Sequence, residues 1–196
     1  MNPVKRALIS VWDKQGLMDF ARGLKDLNVE IISTGGTARV LRESGVEVKE
    51  TSDLTGFAEL LDGRVKSLHP KIHAGILAVR DNPEHLRQMN EAGAPAIDLV
   101  CVNLYPFQAT AQKPEANPAK VVEMIDIGGP ALIRSAAKNH AYVAVVVSPE
   151  QYHPVLAEIK EKGGLSGKTR RALAQRAFRL TSDYDSAIAD YLASRD

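Results

Sequence analysis

Short apolar runs of strand length alternate with helix-length amphipathic segments along this chain of 196 residues, and that alternation limits its fold more than any other feature. Apolar runs at 7–11, 29–32, 97–102 and 143–147 are typical of buried strands, and a weaker run lies at 46–48. Strands separated by helices form parallel sheets. The pattern therefore predicts an α/β fold of three layers, with a parallel sheet between two layers of helices.

The expected helices have one apolar face and recognisable ends. Helices are predicted at 16–27, 37–44, 83–92, 168–180 and 183–193, and a sixth begins at 149. The residues that support these assignments are the apolar face Leu17, Phe20, Ala21, Leu24 and Leu27, the terminator Gly45, the cap Asn82, and the capping-box set Ser148, Pro149 and Gln151.

Three stretches have weaker patterns. Residues 51–70 are irregular, with a short helix expected around 57–61. Residues 73–79 are predicted as a strand, and 108–118 is the most loop-like segment because it contains two prolines.

Composition excludes several classes of protein. Lysine and arginine number 25 against 24 aspartates and glutamates, so no global field favours nucleic acid. Cys101 is the only cysteine, which excludes a disulfide within the chain and a cysteine-based zinc site. The first residues have no apolar run, and no stretch is long enough to cross a bilayer. We therefore expect a cytoplasmic protein that binds neither nucleic acid nor membrane.

A phosphate cradle is predicted where the second strand meets its helix. Ligands of parallel sheets bind beyond the carboxyl ends of the strands, and residues 33–37 lie there with two glycines between hydroxyl side chains. Free N–H groups at a helix start attract an anion, and Lys14, in the neighbouring loop, adds a positive charge. The alternatives are a turn that simply needs glycine and a solvated surface lysine.

A cationic segment, residues 63–71, is the next candidate. It holds Arg64, Lys66 and His69, and the alternative is an exposed basic loop. His69 and His73 are four residues apart, as in some metal sites. However, Pro70 interrupts a helix through them and no third ligand is obvious, so packing and hydrogen bonding explain both histidines better.

Two further clusters supply polar side chains. Asn103 and Tyr105 follow the clearest strand and could bind a carbonyl, stack or donate a proton. Asp126 precedes a predicted helix, where its alternative role is capping, and Lys138 ends that helix, where cations are also favoured structurally. Local physics does not rank these candidates.

Taken together, the motifs resemble one family. SVWDK, STGGT, GRVKSLHPKIHAG, NLYPF, DIGGPALIRSAAKNH and YDSAIADYL are similar to the IMP cyclohydrolase module of the bifunctional purine biosynthesis protein, over residues 7–192. The resemblance implies a methylglyoxal-synthase-like fold at 1–150, a helical extension at 151–196 and a homodimer. It implies conversion of 5-formamidoimidazole-4-carboxamide ribonucleotide (FAICAR) to inosine monophosphate (IMP), with no cofactor or metal. The family's formyltransferase module is fused or separate, and nothing in these residues suggests folate binding.

The resemblance also assigns the site. Catalytic roles fall on Lys66, Tyr105, Asp126 and Lys138. Substrate contacts fall on Trp12, Asp13, Lys14, Thr34, Gly35, Gly36, Thr37, Arg64, Val65, Lys66, Ser67, Val102, Asn103, Asp126, Ile127 and Gly128. Many relatives have serine at the position of Trp12, so a side-chain hydroxyl contact is lost there.

The expected chemistry follows from these assignments. Asp126 removes the carboxamide proton, Lys66 stabilises the tetrahedral oxygen, and Lys138 is the proton donor and acceptor, with Tyr105 orienting or relaying. One alternative is a methylglyoxal synthase, in which the longer motifs are not expected. The other is a regulatory effector-binding module. The regulatory module would need the phosphate loop but not Lys66, Asp126 and Lys138.

Overall fold

One sheet organises the molecule. The computed structural model describes residues 1–58, 60–61, 64–113 and 115–194. Within them, five parallel strands are arranged in the order β3-β2-β1-β4-β5. They are β1 (Arg6–Ser10), β2 (Glu30–Ser33), β3 (Lys49–Glu50), β4 (Leu99–Val102) and β5 (Ala144–Val146). Ala7 pairs with Ile31 on one side and with Leu99 on the other, so β1 lies at the centre.

Helices cover both sides of this sheet. In chain order they are α1 (Leu17–Asp26), α2 (Gly35–Glu43), α3 (Thr51–Thr55), α4 (Pro70–Leu77), α5 (Pro83–Glu91), α6 (Phe107–Ala111), α7 (Pro118–Glu123), α8 (Gly128–Lys138), α9 (Tyr152–Lys162) and α10 (Gly167–Ala193). Helix α1 packs with α9, whereas α8 packs with α4, α10, β4 and β5. The three-layer parallel α/β prediction is confirmed.

Local sequence signals explain where several elements begin and end. The predicted buried face of α1 is confirmed at Leu17, Phe20, Ala21 and Leu24. The Asn82 side chain accepts a hydrogen bond from the Glu84 N–H, 3.0 Å away, and so caps α5 as predicted. The capping box of Ser148 and Gln151 is also present, although it opens a short 3₁₀ turn (Pro149–Gln151) that leads into α9.

Several predictions from sequence are wrong. Residues 73–79 are not a strand, because His69 caps a helix with Pro70 at its first position and that helix continues to Leu77. The third strand is at Lys49–Glu50 and not at 46–48. The two expected C-terminal helices are one, α10, since no glycine or proline occurs after its first residue, Gly167.

The irregular regions also differ from expectation. The helix in the first of them is Thr51–Thr55, and Leu60 pairs with Val65 in an isolated bridge, so the described part of 57–61 is not helical. Glu59 lies outside the described residues. The predicted loop 108–118 contains the end of α6 and the start of α7, and Pro114 within it is likewise outside the described part.

Two groups of buried side chains hold these elements together. The main core spans the sheet, with Leu8, Ile32 and Val100 among its fully buried members. A smaller cluster of Phe107, Val121 and Tyr184 joins α6, α7 and α10. The C-terminal helices thus pack onto the rest of the chain, and the predicted division at residue 150 stays a prediction. None of the helices described could span a membrane.

Candidate functional site

A cleft of about 750 Å³ lies at the carboxyl edge of the sheet. The loops after β1, β2 and β4 line it, together with residues 64–67 and the segment that enters α8. The predicted residues that line it are Trp12, Lys14, Thr34, Gly36, Thr37, Arg64, Lys66, Ser67, Val102, Asn103, Tyr105, Asp126, Ile127 and Gly128. Most residues of the predicted site therefore meet in one cavity.

The loop after β1 is fixed by Asn103. The Asn103 side-chain oxygen accepts hydrogen bonds from the N–H groups of Trp12 (2.6 Å) and Asp13 (3.0 Å), and its amide donates to the Asp13 carbonyl. These bonds use the side-chain oxygen and one of the two amide N–H groups, and the expectation that Asn103 binds a ligand carbonyl stays a prediction. Asn103 holds the loop that presents Trp12 and Lys14.

The start of α2 has the geometry of an anion cradle. Thr34 precedes the helix but does not cap it with its side chain, and a Cβ atom built on Gly36 would meet open space. The N–H groups of a helix's first turn have no partners within the helix, so those of Gly35 and Gly36 are available to a ligand. The predicted cradle thus rests on backbone groups at this helix start.

The hydroxyl groups around this cradle have other partners. The Thr37 hydroxyl donates to the Val11 carbonyl (2.9 Å) and accepts from the Val11 N–H, which ties α2 to β1. The Thr34 hydroxyl lies 3.1 Å from that of Ser10. Thr37 is therefore a structural residue here, contrary to the expectation that it donates to phosphate, whereas the Thr34–Ser10 pair faces the cleft.

Two lysines bring positive charge to the same cavity. Lys14 donates to the carbonyls of Val11 and Trp12 and is half-buried. Burial lowers the pKa of Lys14, and the nearby charge of Lys66 lowers it further, against the opposing effect of Asp13. Because two ammonium groups close together repel each other, the pair is suited to a bound anion.

The segment after Gly63 contributes from a second direction. Gly63 itself is outside the described residues. The exposed Arg64 forms an ion pair with Glu123 at the end of α7, and both line the cleft. Ser67 is buried, and a Cβ atom on Gly128 would approach its hydroxyl oxygen to 2.7 Å. A side chain at 128 would therefore displace Ser67.

Asp126 is the acidic residue that enters the cleft just before α8, and it is half-buried. Its Oδ1 accepts a hydrogen bond from the Gly129 N–H, 2.8 Å away. Burial raises the pKa of the Asp126 carboxyl, while the hydrogen bond from Gly129 and the positive charge of Lys66 oppose that rise. A carboxylate with a raised pKa is a better proton acceptor than an ordinary surface aspartate.

Some predicted residues are not in the cavity wall. Asp13, Gly35 and Val65 are neighbours of lining residues but do not line it themselves. Lys138 is exposed at the end of α8 opposite to Asp126, about ten residues and hence ~15 Å along the helix. The structure therefore does not bring Lys138 to the cleft of its own chain.

The two histidines serve the structure, as expected. The His69 Nδ1 accepts from the Lys71 N–H and caps α4, and the His73 Nδ1 lies 3.2 Å from the Ser135 hydroxyl of α8. Burial lowers the pKa of His73. No group of three or more potential metal ligands occurs within the part of the chain that the structure describes.

Other lining residues were not predicted from sequence. They include Ser10, Val122, Glu123, Met124, Gly129 and Leu132. Gly129 was the one with a signal, since DIGGP has two adjacent glycines at a helix start and a second glycine there indicates a close approach. The others have ordinary side chains at positions that only the tertiary fold brings to the cleft.

Fold and site together define a class. An all-parallel α/β sheet with a glycine-containing helix start, two lysines and a half-buried carboxylate at its carboxyl edge is an open α/β domain, and its cleft lies where the ligands of such sheets bind. The family model described as MGS-like domain matches residues 16–131, and the chain belongs to that family. A second model, described as AICARFT/IMPCHase bienzyme, matches residues 136–196.

Similar proteins extend the assignment. The chain is 55% identical over 188 residues to the bifunctional purine biosynthesis protein PurH of Persephonella marina, covering 96% of this chain and 36% of that protein. It is 54% identical to PurH of Bacillus cereus, covering 97% and 37%. The chain thus spans a little over a third of these relatives. The resemblance found in the sequence is confirmed.

A solved structure also matches closely. The crystal structure of ForH superposes with a TM-score of 0.85 at 40% sequence identity, covering 96% of this chain and 99% of that one. The all-parallel arrangement and the attached C-terminal helices therefore have an experimental counterpart of nearly the same extent.

Proposed function

We propose that this chain is an IMP cyclohydrolase, which closes the purine ring of IMP from FAICAR with loss of water, the last step of purine synthesis. The observation that carries the proposal is one cleft that holds a helix-start cradle, Lys14 and the half-buried Asp126, with the charge of Lys66 acting on both of these side chains. Identity of 54–55% to two PurH proteins supports it.

Binding places the two ends of the nucleotide. The phosphate monoester sits on the Gly35 and Gly36 N–H groups, with Lys14 and the Thr34–Ser10 hydroxyls beside it. The imidazole end extends toward the segment before α8, where Asp126 and the exposed Ile127 lie. This orientation keeps the charged phosphate near the lysines and brings the reacting groups to the carboxylate.

Ring closure then needs a base and a group that stabilises negative charge. The carboxamide nitrogen attacks the formyl carbon, and Asp126 takes the proton that the nitrogen loses. The formyl oxygen becomes a tetrahedral oxyanion, which the ammonium group of Lys66 stabilises, an effect that reaches about 3–4 kcal/mol in preorganised sites. Because the reaction is intramolecular, these electrostatic contributions matter more than proximity.

Loss of water completes the reaction. The oxyanion takes one proton to become a hydroxyl and a second to leave as water, while the former formamide nitrogen loses its hydrogen as the ring C=N bond forms. Lys66, Tyr105 and the Asp126 that took up the first proton line the cleft and supply and accept these protons. The role proposed for Lys138 lacks support from the geometry of a single chain. A homodimer, a fused or separate formyltransferase module and a cytoplasmic location are further proposals that rest on the sequence and the resemblance.

The test is direct. The purified chain is mixed with FAICAR in the absence of folate and added metal, and IMP formation is followed by chromatography. Asp126→Asn should abolish most turnover while the exposed Asp190→Asn of α10 leaves it unchanged. Binding of FAICAR without formation of IMP above the uncatalysed rate would favour the regulatory effector-binding module.

A further inference from the structure

A hydroxyl group on the C-terminal helix reaches the backbone that carries Asp126. The Tyr184 hydroxyl of α10 donates to the Met124 carbonyl (3.0 Å) and accepts from the Asp126 N–H (2.9 Å). Tyr184 is only 8% exposed, so this bridge is shielded from water. It belongs to the YDSAIADYL motif, to which the proposed chemistry gives no task.

Within the part of the chain that the structure describes, the backbone of the bridged segment is otherwise hydrogen-bonded only to the two helices that it joins, by the Met124 and Ile125 N–H groups to α7 and by the Ile127 carbonyl to α8. Residues 124–127 connect α7 to α8 and form neither helix nor strand. The Tyr184 hydroxyl is the hydrogen-bond partner of both the Asp126 N–H and the Met124 carbonyl. A buried peptide group without such a partner is costly, so losing the bridge favours a rearranged segment.

Tyr184 itself is held in place by packing. Its ring meets Phe107 of α6 edge-on, with ring centroids 6.1 Å apart and planes at 68°. Phe107 is 1% exposed and meets Tyr191 of α10 in the same edge-on manner. This packing fixes the position of the Tyr184 ring, and the ring in turn fixes the hydroxyl that binds residues 124–126.

Asp126 is thus held both at its backbone and at its carboxylate. The Tyr184 hydroxyl holds its backbone N–H, and the Gly129 N–H holds its carboxylate. One contact sets the position of the residue and the other sets the rotation of its side chain. Both are needed for a base that must meet one nitrogen of the substrate, because small misplacements of catalytic groups are expensive.

We propose that Tyr184 is a positioning residue that holds Asp126 in its reactive place and thereby makes α10 part of the catalytic module. The inference rests on the proposed function. Tyr184 touches neither substrate nor reacting atoms, so its loss should reduce the rate of ring closure without reducing the affinity for nucleotide.

The test compares Tyr184→Phe with Tyr142→Phe. Tyr142 also loses one hydrogen bond, from its hydroxyl to Asp81 (2.6 Å), but at an exposed site outside the cleft. Turnover of FAICAR and the dissociation constant of IMP are measured, with concentrations corrected for binding-competent protein. Tyr184→Phe should lower kcat by a factor on the order of 10 to 100 with IMP affinity within about twofold of wild type. Tyr142→Phe should change neither.

If Tyr184→Phe loses turnover only in proportion to its loss of binding-competent protein, kcat per competent site is unchanged. That result would show that Tyr184 only stabilises the fold and would overturn the inference. Hydrogen exchange in the wild-type chain provides a test that needs no variant. The Asp126 amide should be protected to a degree comparable with the amides of α8, and exchange at the rate of an exposed amide would equally overturn it. Absence of IMP formation by wild type refutes the proposed function instead, while the exchange experiment still reports on the contact.

Discussion

The Asp126 carboxylate and the Gly129 N–H are joined by a hydrogen bond of 2.8 Å across the first turn of α8. A Cβ atom on Gly129 would collide with the other oxygen of the same carboxylate and would approach Leu104 Cδ2 to 2.8 Å. The missing side chain thus makes room for the half-buried carboxylate, so the second glycine of DIGGP is required by the position of Asp126 more than by backbone flexibility.

Gly129→Ala should therefore inactivate the chain while leaving it folded. The methyl group pushes the carboxylate away from the N–H, and a loss of turnover on the order of 100-fold is expected from such a displacement. Gly167→Ala is the matched control, since a Cβ there meets only the Arg170 guanidinium at 3.9 Å. The measurement is the turnover of FAICAR by both variants. Normal turnover of Gly129→Ala would show that the carboxylate remains active in another position.

Asp126→Asn should be more stable than wild type at neutral pH although it is less active. Burial raises the pKa of Asp126 in the folded chain, so the folded state retains a proton that the unfolded state has already lost. Wild-type stability consequently falls as pH rises from the ordinary carboxyl range through the raised pKa. The amide does not titrate, and the advantage of Asn should vanish at acid pH.

Thermal unfolding of both proteins from about pH 3 to 8 measures this difference, with Asp190→Asn as an exposed control. A difference in melting temperature that stays constant over the whole range would mean that Asp126 does not titrate abnormally. Asp126 would then be less suitable as the general base.

Lys66→Gln should move the acid limb of the rate profile. The positive charge of Lys66 lowers the pKa of Asp126, so its removal raises that pKa. A base with a higher pKa loses its activity at higher pH, and the acid limb of kcat/KM should shift upward. The overall rate should also drop by a factor on the order of 100 as the oxyanion loses its cation. An unchanged acid limb would show that the charge of Lys66 does not influence the pKa of Asp126.

The arrangement of the sheet was predictable because most of its strands are short, continuous apolar runs. The run that became β4 is four fully buried residues, and both faces of a parallel sheet favour such apolar runs. The adjacency of the Lys14 loop and the cradle followed from β1 and β2 being neighbours, a relation confirmed by their register. The elements that were assigned wrongly have short or mixed patterns. In α4, for example, the apolar residues fit both the helical and the strand period.

Side-chain roles were harder to predict than side-chain locations. Asn103 and Thr37 both line the cleft, yet the Asn103 side-chain oxygen binds the Trp12–Asp13 loop and the Thr37 hydroxyl binds Val11. The sequence shows a hydrogen-bonding group but not which partner reaches it first. Tyr184 shows the reverse case, since a residue 58 positions from Asp126 becomes its backbone partner only in the folded chain.

Lys138→Ala should retain near-normal turnover if a single chain forms the whole site. The ammonium group starts from the exposed end of α8, ~15 Å along the helix from the segment that carries Asp126. The opposite result has an informative follow-up. If Lys138→Ala is inactive, mixing it with inactive Asp126→Asn distinguishes two explanations. Restored turnover would place Lys138 in the cleft of a second copy, and no restoration would point to a rearrangement within one chain.

Lys14→Ala should weaken binding of the phosphate end, and Trp12 allows the effect to be measured directly. Trp12 is the only tryptophan of the chain, is 50% exposed and lines the cleft, so its fluorescence reports on an occupied site. A hydrogen bond to a charged group contributes about 1.5–3 kcal/mol, which corresponds to a loss of affinity of roughly 10- to 150-fold. The half-exposed position of Lys14 favours the lower part of that range.

Titration of Trp12 fluorescence with IMP, inosine and ribose 5-phosphate separates the contributions of phosphate and base. Lys14→Ala should reduce the affinity for IMP and for ribose 5-phosphate by the same factor and leave inosine unaffected, because only the two phosphorylated ligands reach the cradle. Lys160→Ala, on the exposed side of α9, should change none of the three. Equal weakening of inosine would mean that Lys14 supports the loop through the Val11 and Trp12 carbonyls and does not contact phosphate.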